Sequence, residues 1–223
     1  MPTSSAQKGF MISRQELYRE SIKICNKAIA IKPNSSYYLA TRGVLKMETN
    51  QLQSAIYDFS KSLNIDSSDA IVFYNRGLCH RRMLHIDSAI ADYKSCIRRD
   101  SNYAHALLNM GYAYMYKHDY EKAINLYTKA LTKDSNLKSV GFTLNNIGYA
   151  YLKLENYKSA LFYVNQSIKT YPINPYAYRN LALIQLAQND SKQACKSLDK
   201  SIELGFVQQY GDEVLELKAA NCR

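Results

Sequence analysis

The feature that most restricts this chain is a period. Gly43, Gly77, Gly111 and Gly148 follow one another at intervals of 34, 34 and 37 residues, and Ala182 lies 34 further on. Twelve residues after each stands an alanine: Ala55, Ala89, Ala123, Ala160 and Ala194. Four beyond these come Phe59, Tyr93, Tyr127, Val164 and Leu198. A small residue followed by a branched apolar one recurs as Ala28-Ile29, Ser62-Leu63, Cys96-Ile97, Ala130-Leu131, Ser167-Ile168 and Ser201-Ile202. All tracks share the period and the same three-residue insertion. Such agreement marks stacked supersecondary units, each unable to bury its apolar face alone.

Each period reads as two helices. With 8 Gly and 4 Pro in 223 residues, the chain has too few breakers for the many tight turns of an all-β fold. Between the glycine and the alanine sits a turn with a polar cap candidate. Asp119, Asn156 and Asp190 are good N-caps, whereas Gln51 and His85 are poor ones. Between periods lie Lys32-Pro33-Asn34, Asp66-Ser67-Ser68, Asp100-Ser101-Asn102, Asp134-Ser135-Asn136 and Tyr171-Pro172-Ile173-Asn174, all helix-stopping segments. A mid-helix glycine costs up to about 1 kcal/mol relative to Ala. Its recurrence at one register implies close approach of the partner helix, with the alanine opposite serving the same contact.

These tracks, with Tyr114 and Tyr151 three residues after their glycines and Pro33 and Pro172 at repeat ends, resemble the tetratricopeptide repeat family over residues 14–208. The resemblance implies an all-α, right-handed superhelical solenoid of antiparallel helix pairs whose first helices line a concave groove. Five full repeats are expected: 36–69, 70–103, 104–137, 141–174 and 175–208. Residues 1–35 read as a degenerate first repeat with a helix over 14–32. Gly205 and Gly211 break the pattern, and 209–223 then supply a capping helix over Asp212–Ala220, which covers the last apolar face. About twelve helices and no sheet follow from this count. The inserted Lys138-Ser139-Val140 either lengthens a loop or extends the next helix at its start.

Two repeats depart from the pattern together. Arg42 and Arg76 precede their glycines where the others have Met110, Ile147 and Leu181. Sixteen residues later the same two repeats carry Asp58 and Asp92, against Leu126, Tyr163 and Ser197 elsewhere. A buried unpaired charge is costly, so co-occurrence implies interhelical ion pairs. Arg76 has either Asp92 or the previous repeat's Asp58 as its partner.

The groove stripe follows from helical geometry. Asn75, Asn109, Asn146 and Asn180 share one register, two residues before the glycine or alanine. An amide offers a donor and an acceptor together, which suits a peptide unit of an extended chain. The competing reading is that each asparagine bonds its neighbour repeat. Tyr74, Tyr112 and Tyr149 are recognition candidates on the same stripe, and Arg82 and Arg179 point to acidic partner groups. A lysine-based carboxylate clamp, which some relatives carry, is absent: Ala40, Tyr74, Leu108 and Asn145 fill one of its registers, Ile71 and His105 the other.

The function expected is a non-enzymatic scaffold that binds a protein or an extended peptide in the groove. No cofactor is implied. The four His share no metal spacing, and there is neither a phosphate-cradling loop nor a nucleophile elbow. The net charge of +10 is spread along the chain, whereas nucleic-acid binders concentrate theirs. A nucleic-acid-binding solenoid and a regulatory subunit of an enzyme complex remain as alternatives. No run approaches a membrane span, and Met1–Lys8 holds no apolar signal region. A cytoplasmic protein is expected, or a periplasmic one if a signal was removed. Cys25, Cys79 and Cys96 fall on buried registers. Cys195 and Cys222 are placed to pair in an oxidising compartment.

Overall fold

A computed structural model describes residues 4–133 and 137–222. The break Asp134-Ser135-Asn136 and the start Met1-Pro2-Thr3 lie outside the described residues. Among the described residues there are thirteen helices and no strand. They are α1 (Ser4–Ile31), α2 (Ser36–Glu48), α3 (Leu52–Ile65), α4 (Ala70–Arg82), α5 (Ile86–Arg99), α6 (Ala104–Tyr116), α7 (Tyr120–Leu131), α8 (Leu137–Lys153), α9 (Tyr157–Thr170), α10 (Pro175–Ala187), α11 (Ser191–Glu203), α12 (Phe206–Tyr210) and α13 (Glu213–Asn221). The chain forms two compact units that divide between Asn109 and Met110. Two features differ from the sequence expectation: α1 starts ten residues before position 14, and the five-residue α12 is an extra element. The insertion extends the next helix at its start, the second of the two expected outcomes, and α8 grows to 17 residues.

The turn chemistry explains the helix starts. Gln51, His85, Asp119, Asn156 and Asp190 are the N-caps of α3, α5, α7, α9 and α11. The side chains of Asp119, Asn156 and Asp190 accept from the backbone N–H of Lys122, Ser159 and Gln193, whereas Gln51 and His85 make no such bond. The residue before each cap turns the chain with positive φ: Asn50, Leu84, His118, Glu155 and Asn189, at 56° to 61°. Asparagine tolerates this left-handed region; Leu84 and Glu155 do not favour it.

The periodic small residues have two distinct uses. A Cβ added at Gly43, Gly77, Gly111 or Gly148 would lie 2.6–2.7 Å from Phe59, Tyr93, Tyr127 or Val164. The close contact is therefore with the side chain four residues after the alanine, mainly an aromatic ring, rather than with the alanine itself. The alanines are fully buried for their own reason, as the floor of each helix–helix contact. In the fifth pair Ala182 takes the glycine's place opposite the smaller Leu198. The small residue before the branched apolar one acts differently where it is serine. Ser62, Ser167 and Ser201 each donate to the carbonyl of the residue 26 positions earlier, Ser36, Gly141 or Pro175, at 2.7–2.9 Å.

In the first unit the core gathers Met47, Phe59, Leu63, Val72 and Cys79. The two ion pairs lie within repeats. Arg42 donates through Nε and Nη2 to Asp58 at 2.8 and 2.7 Å, and Arg76 does the same to Asp92 at 2.9 and 2.6 Å. This resolves the open choice for Arg76. Asp58 is fully buried, and Lys46 Nζ adds a second cation at 2.7 Å. The third guanidinium nitrogen reaches the preceding second helix, at Asn26 from Arg42 and at Ser60 from Arg76. Each arginine thus ties three helices with directional, charge-assisted bonds.

The second unit ends differently. Gly205 and Gly211 break the chain at φ 85° and 90°, and Phe206 of α12 inserts into a core with Ala182, Leu198 and Val214. A Cys195–Cys222 disulfide, with Cα atoms 5.7 Å apart, fastens the end of α13 to α11. Cys25, Cys79 and Cys96 are buried free thiols, and burial pushes Cys79 and Cys96 up to about 11.

Candidate functional site

The second unit holds a cavity of about 590 Å³ lined by first-helix side chains. α8 contributes Phe142, Asn145, Asn146 and Tyr149, spaced as one helix face. α10 adds Tyr176, Arg179 and Asn180, α6 adds Tyr112 and Met115, and Tyr210 of α12 forms a wall. The wall is aromatic and self-supporting: the Tyr176 ring lies 4.3 Å from Tyr210 and 5.1 Å from Phe206. Burial, then the neighbouring Tyr210, raises the Tyr176 phenol above its usual range, so it stays a neutral donor.

A polar seam crosses this aromatic surface. Asn146 donates to the Tyr112 hydroxyl at 2.8 Å, and Asn180 donates to the Asn145 carbonyl at 2.9 Å. Asn145 and Asn180 are 3% and 2% exposed, so this amide pair is buried and satisfied from within. Arg179 donates Nη1 to Asn180 at 2.7 Å and Nη2 to Glu213 of α13, and its guanidinium lies 5.3 Å from the Tyr149 ring centre. Its Nε–H is buried without a partner among the described residues. An unmade buried donor is costly.

The first unit holds Tyr74, Asn75, Arg82 and Asn109. Asn109 donates to the Tyr74 hydroxyl at 3.2 Å and to the His105 carbonyl at 2.8 Å. Tyr74 packs 4.9 Å from Tyr103, and burial pushes its phenol up to about 12. Asn75 borders a smaller hollow, about 360 Å³, with Tyr37, Thr41, Asp66 and Asp69. Arg82 donates to the Met47 carbonyl at 3.2 Å, near the end of α2.

The sequence-derived set is thus split between the two units, and its chemistry is altered. Two of the four ladder amides, Asn109 and Asn146, donate to a tyrosine of the preceding repeat, as the structural reading of the ladder expected. Arg179 already faces a carboxylate, and Arg82 a carbonyl. Arg179 is thereby paired with a carboxylate, whereas Arg82 keeps its full charge. Asn145, Phe142, Tyr210 and Glu213 were not anticipated. Glu213 carried a readable signal, since it lies 34 residues after Arg179 and extends the period into the tail. Asn145 sits in a register assigned only to a missing lysine. A larger hollow of about 740 Å³, by Glu121, Asn125, Lys129, Leu154 and Asn156, is walled by exposed side chains and holds no buried polar group of this kind.

Tetratricopeptide repeat models match residues 70–103, 102–173 and 145–205, together most of the helix pairs. The chain belongs to the tetratricopeptide repeat family. As in that family, the cavity is built from first helices of consecutive pairs. No curated protein matches the sequence at a significant level. Solved TPR structures match the fold. MamA aligns at 19% identity and a TM-score of 0.68, over 78% of this chain and 94% of its own. YrrB, a TPR protein with an unusual peptide-binding site, aligns at 18% and 0.70, over 88% and 97%. PilF of Pseudomonas aeruginosa aligns at 18% and 0.65, over 83% and 91%. At such identities the likeness concerns the solenoid fold. Among the described residues, no three His, Cys, Asp or Glu gather as a metal site, and no helix is long and apolar enough to cross a membrane.

Proposed function

We propose that this TPR chain is a non-enzymatic interaction scaffold, and that the second unit's cavity binds an extended peptide through an aromatic or branched apolar anchor. The observation that carries the reading is the aromatic cavity itself, lined by Tyr112, Tyr149 and Tyr176 with the Arg179 guanidinium over the Tyr149 ring. The anchor side chain fills the space between Tyr112, Tyr149 and Tyr176. Tyrosines bury area at low entropic cost and keep polar tips for the flanking backbone. The carbonyl of Asn146, whose amide is held by Tyr112, accepts a peptide N–H. The ligand favoured is aromatic rather than acidic, because Glu213 already neutralises Arg179. The internal ion pairs of Arg42, Arg76 and Arg179 also withdraw positive charge that a nucleic-acid-binding surface would need.

The test is selection of a displayed random peptide pool on the full chain, followed by titration of the selected peptides. Enrichment of aromatic anchors is expected. Asn146→Ala should weaken binding by about 0.5–1.5 kcal/mol, the worth of one neutral hydrogen bond. Tyr149→Ala should weaken it further while the chain stays helical. Peptides whose affinity ignores both substitutions in folded protein would remove this cavity as the site.

A further inference from the structure

α1 and α13 show helix faces that most of the interior pairs cover. In α3, α5, α7 and α11, the residue before the aromatic or apolar track is buried under the first helix of its own pair. Asp58, Asp92, Leu126 and Ser197 are at most 8% exposed. The same register in α1 is Ile24, 34 residues before Asp58, and it is 67% exposed. Leu17 and Ile31, seven residues to either side, are 64% and 79% exposed. α1 still carries the small residues that seat a first helix, Ser21 in the alanine register and Ala28 in the serine register. Its other side is occupied, with Cys25 buried and Asn26 bonded to Arg42.

α13 has the converse face. Leu215 lies 34 residues after Leu181, in the register of Arg42, Arg76, Met110 and Ile147, which meets the second helix of the same pair. It is 41% exposed, and Ala219 and Ala220 are exposed one turn on. Val214 faces the core, and the Cys195–Cys222 bond together with the Lys218–Asp199 ion pair at 2.6 Å fasten α13 to α11. These bonds hold α13 in place and leave Leu215 exposed.

We propose that these faces bind each other between copies: α13 of one molecule packs against α1 of the next, head to tail, and completes a helix pair. The occupant is a second copy because one chain carries both halves in matching registers. Ile24 and Leu215 stand where Asp58 and Arg42 meet. The charges agree as well. From Arg14 to Lys27, α1 carries four cations against Glu16 and Glu20, whereas Asp212–Lys218 carries three carboxylates against one lysine. A contact between unlike ends is heterologous, so it joins copies into a ring or an open chain, and assembly rises with concentration.

The experiment is sedimentation velocity on the full chain from low to high micromolar concentration. A mean mass that climbs above the monomer with concentration is expected. Ile24→Asp and Leu215→Arg each abolish growth; both positions are exposed in the single molecule, and circular dichroism confirms that each variant is folded. Mixing the two variants restores growth, because the new carboxylate meets the new guanidinium and rebuilds the pair that Asp58 and Arg42 make. Two results would overturn the proposal: a monomer at all concentrations, or growth that survives either substitution. A mixture of the two variants that stays monomeric would overturn it too.

Discussion

The Arg76–Asp92 pair allows a quantitative test, because the same chain carries its apolar substitute. Asp92 is 4% exposed and accepts two bonds from Arg76. Arg76→Met leaves that carboxylate buried, with only His80 nearby at 3.9 Å. Breaking such a pair from one side costs about 3–5 kcal/mol. Asp92→Leu strands the guanidinium instead, but its side chain is 22% exposed and keeps Ser60, so about 2–3 kcal/mol is expected. The double variant installs the combination that Met110 and Leu126 use at the same registers. Replacing a buried ion pair by well-packed apolar residues is often neutral or stabilising, so the double variant should melt near or above the parent. At about 3 kcal/mol, a single variant should lose roughly 6–12 °C in Tm for a chain of this size. Urea midpoints provide the coupling energy, expected to be at least about 3 kcal/mol. Amide hydrogen exchange in α4 and α5 locates the loss, since solenoids open in parts. Additive single variants, with a double variant as damaged as their sum, would refute the assignment of the pair as one energetic unit.

Four further outcomes follow from the same packing. Leu84→Gly and Glu155→Gly should each stabilise by about 1 kcal/mol by relieving left-handed backbone strain, read as a raised urea midpoint; a lowered midpoint at either site contradicts the turn argument. Gly111→Ala should destabilise despite its better helix propensity, because its Cβ would meet the Tyr127 ring at 2.6 Å. Adding Tyr127→Leu should recover part of the loss, since Ala182 and Leu198 already coexist in the fifth pair. Reducing Cys195–Cys222 releases a 27-residue crosslink and should cost about 3–4 kcal/mol by loop entropy, measured as a lower Tm in reductant. Burial, with Arg76 and His85, holds His80 below the ordinary histidine range against the opposing pull of Asp92. The folded state thus prefers neutral His80. That stability is fully present above the unfolded value of about 6.5 and is lost as pH falls through the folded value. His80→Gln should flatten the decline of the urea midpoint between neutral and mildly acid pH.

Much of the fold was legible in the residues because a solenoid makes mostly near-neighbour contacts. A 34-residue period sets helix count and register. The caps Asp119, Asn156 and Asp190 act where they stand, since capping involves a side chain and a backbone group two or three residues away. The co-occurrence of Arg42 with Asp58 and of Arg76 with Asp92 also showed that charges were buried in pairs. A period cannot say which side-chain atoms meet across two helices. That depends on crossing geometry and rotamer, which repeat-to-repeat identity leaves open. Only the tertiary structure turned Arg76 to Asp92 rather than Asp58, occupied Asn146 with the Tyr112 hydroxyl, and brought Glu213 onto Arg179. The same contacts changed the chemistry of the groove. Residues that read as free amides and cations are largely held by neighbours one repeat away, and what remains open is an aromatic cavity with a buried donor. Sequence determined which residues share a face; packing determined which of them are already satisfied, because satisfaction is a property of pairs in space.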